Sequence, residues 1–146
     1  MTGDSDEVSF VDTNIFLYGL VDDDPRRSPI AQALIRRLVA KGALRTSTQV
    51  LQELYVNLVR KVRGGRSPDR ALRYLDEIAQ SPVWVNEYSD VRRAVQLTTE
   101  VNLSFWDALI VVAAANSGAK RLYSEDMQDG QVILGVRIVN PFREPQ

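Results

Sequence analysis

Apolar residues recur along this chain in short blocks of two kinds, and their alternation already outlines a fold. Val8 to Val11 is a compact apolar run of strand type. Asp12-Thr13-Asn14 interrupts it, and Asn14 is placed to cap a short helix over Ile15 to Leu20. After the loop Asp22-Asp23-Asp24-Pro25, Ser28-Pro29 opens a helix with Pro at its first position. Its apolar stripe is Ile30, Leu34, Leu38 beside Ala31, Ile35, Val39, and Gly42 ends it. Ala43 to Ser47 predicts a strand, and Ser47 or Thr48 caps a helix over Gln49 to Val62. On that helix Glu53 and Asn57 fall together just outside the apolar arc.

Gly64-Gly65-Arg66-Ser67 reads as a turn, and Ser67-Pro68 starts a helix with Leu72, Leu75, Ile78 and Ala79 inward. Pro82 to Val85 is strand-like, and Asp90 caps a helix through about Thr99. The run from Ser104 to Ser117 is apolar on nearly all sides, so it predicts a buried helix, stopped by Gly118. Arg121 to Ser124 and Val136 to Val139 complete the set as strands. Strands alternating with helices predict an α/β sandwich around a mostly parallel sheet, built as one domain over residues 1–146. The acidic start, residues 1–7, is expected to be a flexible N-terminus.

Composition changes the picture mainly through what is missing. The 146 residues hold no cysteine and no histidine. Disulfides, thiolate metal sites, Ser-His triads and His-assisted RNA transesterification are therefore excluded. The net charge is −1, so any nucleic-acid contact must come from local basic clusters. The most suggestive is Arg63-Gly64-Gly65-Arg66, although charge runs of this kind usually just solvate helix faces. Trp84 and Trp106 could stack on bases, but their apolar context predicts core positions. The acidic N-terminus is unlike a signal peptide, and no apolar stretch approaches the ~20 residues of a membrane span. A soluble cytoplasmic protein is expected.

Four acids stand at the borders of apolar elements, where a lone carboxylate is expensive to desolvate. Asp12 and Asp126 each follow a strand, Asp107 opens the most apolar helix, and Glu53 lies in the second turn of another. Strand carboxyl ends and helix N-termini share one edge of a parallel sheet, so all four are predicted on that edge. Close carboxylates repel and raise one another's pKa, and a divalent cation relieves the repulsion. An all-oxygen set selects Mg²⁺ or Mn²⁺, which suits phosphodiester chemistry. Three of the acids also have an ordinary reading, and Asp12, at the end of a buried strand, is the least open to one. Asp107 is at capping-box spacing from Ser104, Asp126 fits a turn, and Glu53 could pair with Arg60 or Lys61.

With those residues in place, the chain resembles the PIN-domain ribonucleases, in particular the VapC toxins of toxin–antitoxin pairs. The matching segments are Phe10-Val11-Asp12-Thr13-Asn14, Gln49 to Leu54 around Glu53, Phe105-Trp106-Asp107-Ala108, and Tyr123-Ser124-Glu125-Asp126 before Gly130. The resemblance implies a three-layer α/β/α sandwich with a five-stranded parallel sheet. It implies an endoribonuclease using Mg²⁺ or Mn²⁺ and activated water, leaving a 5′-phosphate. Asp12, Glu53 and Asp107 would be metal-binding acids and Asp126 the fourth. Thr13 or Asn14 and Ser124 would support them by hydrogen bonds. Asp126 keeps the family's hydroxyl-x-acid spacing from Ser124; Asp129, in the same loop, is its competitor. RNA as substrate, a small antitoxin as partner and a homodimer are implied as well.

Two rival readings follow from other phosphate chemistry and from binding alone. A haloacid-dehalogenase-like phosphatase needs a second Asp two residues after the first, and Asn14 stands there. A non-catalytic PIN-like module that binds RNA or protein keeps the scaffold without the metal.

Overall fold

The computed structural model describes residues 7–60 and 66–143. Residues 1–6, 61–65 and 144–146 are outside it, and with them most of the predicted N-terminal tail, the end of the Gln49–Val62 helix and most of the Arg63–Arg66 loop.

In chain order the elements are β1 (Ser9–Val11), α1 (Thr13–Leu20), α2 (Arg27–Ala40), β2 (Leu44–Ser47), α3 (Thr48–Arg60), α4 (Pro68–Ile78), β3 (Val83–Trp84), α5 (Tyr88–Glu100), α6 (Phe105–Asn116), β4 (Arg121–Tyr123), β5 (Val132–Ile133) and β6 (Val136–Val139). The strands form one sheet in the order β3-β2-β1-β4-β6-β5. Every pairing is parallel except β5 with β6. The helices pack in two groups, α1 to α4 among themselves and α5 with α6, with the sheet between them as the middle layer of a three-layer sandwich.

The sheet has six strands where five were expected. The extra one, β5, forms a hairpin with β6 through Leu134 and Gly135, both at positive φ (50° and 78°). Such a two-residue turn matches the strand twist, and Gly135 takes its half without strain. Two residues of strand are too short to show alternation in a sequence.

The core follows the predicted apolar stripes. Seven successive residues of α6, Ala108 to Ala114, are buried, which explains why that helix has no polar face. Phe10 and Val11 of β1 and Leu122 of β4 are fully enclosed beside it. Helix α4 corrects one expectation: Ala71, Tyr74, Leu75 and Ile78 face inward at i, i+3, i+4, i+7, while Leu72 and Ala79 are exposed. Two caps also differ. Helix α1 starts two residues earlier than predicted, so Asp12 caps it and Asn14 lies within its first turn. On α5 the N-cap is Glu87, and Asp90 is the third helical residue of a capping box. No single helix among the described residues is long and apolar enough to cross a membrane.

Candidate active site

Strand β1 lies between β2 and β4; the chain leaves β1 toward β2 on one side and returns on the other as β4. Between β1 and β4 the winding reverses, and such a switch point opens a crevice at the strand carboxyl ends. Asp12 is the first residue after β1, and its N–H still joins the ladder, donating to the Tyr123 carbonyl at 3.0 Å. Ser124, the first residue after β4, donates from Oγ to Asp12 Oδ2 at 3.0 Å across the switch point. The other carboxylate oxygen accepts from the Thr13 N–H at 2.7 Å. One side chain thus caps α1 and faces the crevice.

The remaining acids are attached around this pair by neutral donors. Thr13 Oγ1 donates to Glu53 Oε1 at 2.8 Å, and Gln49 Nε2 donates to Glu53 Oε2 at 3.0 Å. The same Gln49 amide donates to the carbonyl of Trp106, immediately before Asp107 (3.3 Å). Asn14 Nδ2 donates to Asp126 Oδ2 at 2.7 Å. Asp107 is held at the start of α6, where its N–H donates to Ser104 Oγ at 3.1 Å. Glu53 accepts from Thr13 and Gln49; among the described residues it forms no pair with Arg60, and Lys61, the other expected rim partner, lies outside them.

The electrostatics record that these acids are neighbours. Burial pushes the Asp12 carboxyl up to about 6; Thr13 and Ser124 oppose this, and the charges of Glu53 and Asp107 add to it. Asp107 is likewise raised, first by burial and then by the charge of Asp126, with a smaller contribution from Glu53. As the side chains stand, no three acids among the described residues are close enough to hold one ion between them. The donor set still suits a hard divalent cation: carboxylate oxygens, mutual repulsion and neutral hydrogen-bonding neighbours.

The three acids of the β4 loop are placed differently. Glu125 accepts from Tyr18 Oη (2.9 Å) and Arg27 Nε (2.6 Å). Asp129 accepts from the Asn140 N–H (2.8 Å) and Arg143 Nη1 (3.1 Å). Asp126, bound to Asn14, is the one tied to the crevice.

The PIN domain family model matches residues 9–128. The chain belongs to the PIN domain family. Ribonuclease VapC23 of Mycobacterium tuberculosis is 30% identical over 118 residues, covering 80% of this chain and 91% of that protein. The crystal structure of Mycobacterium tuberculosis VapC20, described as a Sarcin-Ricin loop cleaving toxin, superposes with a TM-score of 0.62 at 25% identity. It covers 81% of this chain and 89% of the VapC20 chain. VapBC2 from Rickettsia felis, bound to a DNA fragment from its promoter, gives a TM-score of 0.57 at 16% identity over 81% of this chain and 87% of its own. That last likeness speaks to the fold alone.

Sequence reasoning missed one residue at the crevice of this PIN domain, Gln49, and misplaced another, Trp106. Gln49 lies one turn before Glu53, and that i, i+4 spacing was the available signal. Trp106, expected in the core, is 62% exposed. It lies in the first turn of a helix that is apolar all round, where periodicity does not distinguish the solvent side.

Proposed function

We propose that this PIN domain is a metal-dependent endoribonuclease that hydrolyses RNA phosphodiesters as the toxin of a toxin–antitoxin pair. The observation that supports it best is Asp12: a carboxylate at the switch point, hydrogen-bonded by Ser124 and raised first by burial and then by neighbouring acids. Asp12, Glu53 and Asp107 would hold Mg²⁺ or Mn²⁺, with Asp126 as the fourth acid. When bound, the ion supplies a Lewis acid and a water of lowered pKa. The chain's own part is orientation. Ser124 and Thr13 fix Asp12, Thr13 and Gln49 fix Glu53, and Asn14 fixes Asp126. Such supporting hydrogen bonds set the direction and basicity of metal-binding groups. The partners proposed with this activity are RNA, a small antitoxin and a second copy of the chain.

One observation favours the non-catalytic module: as placed, no three described acids converge on a single point. Two measurements separate the readings. The nuclease should cut structured RNA with Mg²⁺ or Mn²⁺, and EDTA, Asp12→Asn or Asp107→Asn should each reduce cutting to background. Mn²⁺ should raise the melting temperature of the wild type and not that of Asp12→Asn. Undiminished cutting by Asp107→Asn would overturn the site assignment, and the absence of both cutting and a Mn²⁺ shift would favour the module.

A further inference from the structure

Beside Glu53 runs an open groove of about 660 Å³, most of whose lining the proposed metal site does not use. One wall is the face of α3 from Gln49 and Glu53 through Val56 and Asn57 to Arg60, and Trp106 is the other. A 62% exposed indole is an unusual way to place so large an apolar side chain. The ring is nevertheless braced: it packs edge-to-face on Phe105 with centroids 5.1 Å apart. It is also tied to the acids, because the Gln49 amide bonds both the Trp106 carbonyl and the Glu53 carboxylate. The backbone of Trp106 is therefore held beside the Glu53 carboxylate, and Phe105 braces the ring.

The lining describes the ligand. Trp106 offers a broad flat face and Val56, 41% exposed, adds apolar surface. Asn57 can donate and accept, and Arg60 is two turns along α3 from Glu53. An apolar peptide would leave the amide and the guanidinium unmatched. A nucleotide uses all of them: base on the indole, base edge on the amide, phosphate on Arg60. We propose that Trp106 is a substrate-specificity residue that stacks on an unpaired base next to the scissile phosphate, the groove holding that nucleotide and Arg60 its phosphate. The proposal rests on the ribonuclease reading above. It carries a consequence: a base already stacked in a duplex has no free face, so cutting falls in single strands or loops.

The test uses an RNA hairpin whose cut site in the wild type has been mapped. Trp106→Ala should raise KM about tenfold or more with kcat within about twofold, and Trp106→Phe should fall between. An abasic nucleotide at one flanking position should produce the same loss in the wild type and add nothing in Trp106→Ala. In the non-cutting Asp12→Asn protein the same hairpin should quench tryptophan fluorescence, and Trp106→Phe in that background should remove the quenching. Unchanged KM in Trp106→Ala overturns the proposal. So does a joint fall of kcat and melting temperature, which marks a structural role, or an equal abasic penalty in both proteins. Conversion of a dimer to a monomer with base dependence intact would instead make Trp106 a contact between copies, and also overturns it. If the wild type cuts no RNA hairpin at all, yet hairpins quench its tryptophan fluorescence and Trp106→Phe removes the quenching, the nuclease reading is removed and the stacking is left. Normal cutting by Trp106→Ala removes the stacking alone.

Discussion

Asp12 and Asp90 are both aspartates in the protein interior, 8% and 4% exposed, and they are embedded in opposite ways. Asp90 accepts from Trp84 Nε1 (3.0 Å), the Glu87 N–H (2.8 Å) and Asn116 Nδ2 (2.8 Å). It joins β3, the start of α5 and the end of α6, so its charge serves as a structural tie. Among the described residues Asp12 accepts two hydrogen bonds, and burial, with the charges of Glu53 and Asp107 adding to it, pushes it up to about 6. Burial alone therefore does not mark a functional acid. What distinguishes Asp12 is incomplete satisfaction among like charges, a condition that a cation would relieve.

The contrast can be broken by substitution. The largest expected effect is on activity: Asp12→Asn should lose RNA cleavage to background while remaining folded. Without metal at pH 7 it should also be more stable than the wild type, because Asn still caps a helix and carries no charge. Loss of stability in Asp12→Asn would put Asp12 in the same class as Asp90. For Asp90→Ala the reverse is expected. It leaves the Trp84 and Asn116 donors unpaired and should destabilise by about 3 kcal/mol or more, read by urea unfolding, with metal binding of the folded fraction retained.

The pH dependence sharpens the same point. Folded Asp12 keeps its proton to about pH 6, whereas its ordinary value is 3.8. Between those values the folded state binds a proton that the unfolded state does not. From this group, the metal-free protein is most stable below about pH 4 and loses on the order of 3 kcal/mol as pH rises through 6. Thermal melts with EDTA should show that slope, and Asp12→Asn should flatten it. Ser124→Ala removes one of two donors to Asp12. Mn²⁺ affinity by calorimetry should fall ~10- to 100-fold, the usual range for a supporting hydrogen bond. The smallest effect is expected at Asp129, whose partners are the Asn140 N–H and Arg143. Asp129→Asn should change stability by less than about 1 kcal/mol and leave Mn²⁺ affinity unaltered. A large loss of affinity there, with little at Asp126→Asn, would exchange the two residues' proposed roles.

Much of the frame was legible because it rests on local physics. The apolar runs at Ser9–Val11 and Arg121–Tyr123, the Ser67-Pro68 start of α4 and the all-round apolar α6 are written in neighbouring residues. Alternation of strand and helix then forces parallel pairing, and parallel pairing brings strand ends and helix starts to one edge. Asp12, Glu53, Asp107 and Asp126 could be grouped from that alone.

What the sequence by itself determined is thus the order of every element but β5, the edge near which the acids lie, and a set of polar groups without histidine or cysteine. Only the tertiary structure decided how each acid is held. Asp126 is bound by Asn14 and Asp12 by Ser124, residues 112 positions away in each case, and Glu53 by Thr13, 40 positions away. No pattern in neighbouring residues encodes such pairings. The same holds for Asp90, whose place in α5 reads as an ordinary cap until β3 and the end of α6 close over it. It holds for Trp106 too, because exposure depends on where other helices stop. Local propensity sets which elements form; the orientation of a side chain at their ends depends on contacts that exist only once the layers have packed.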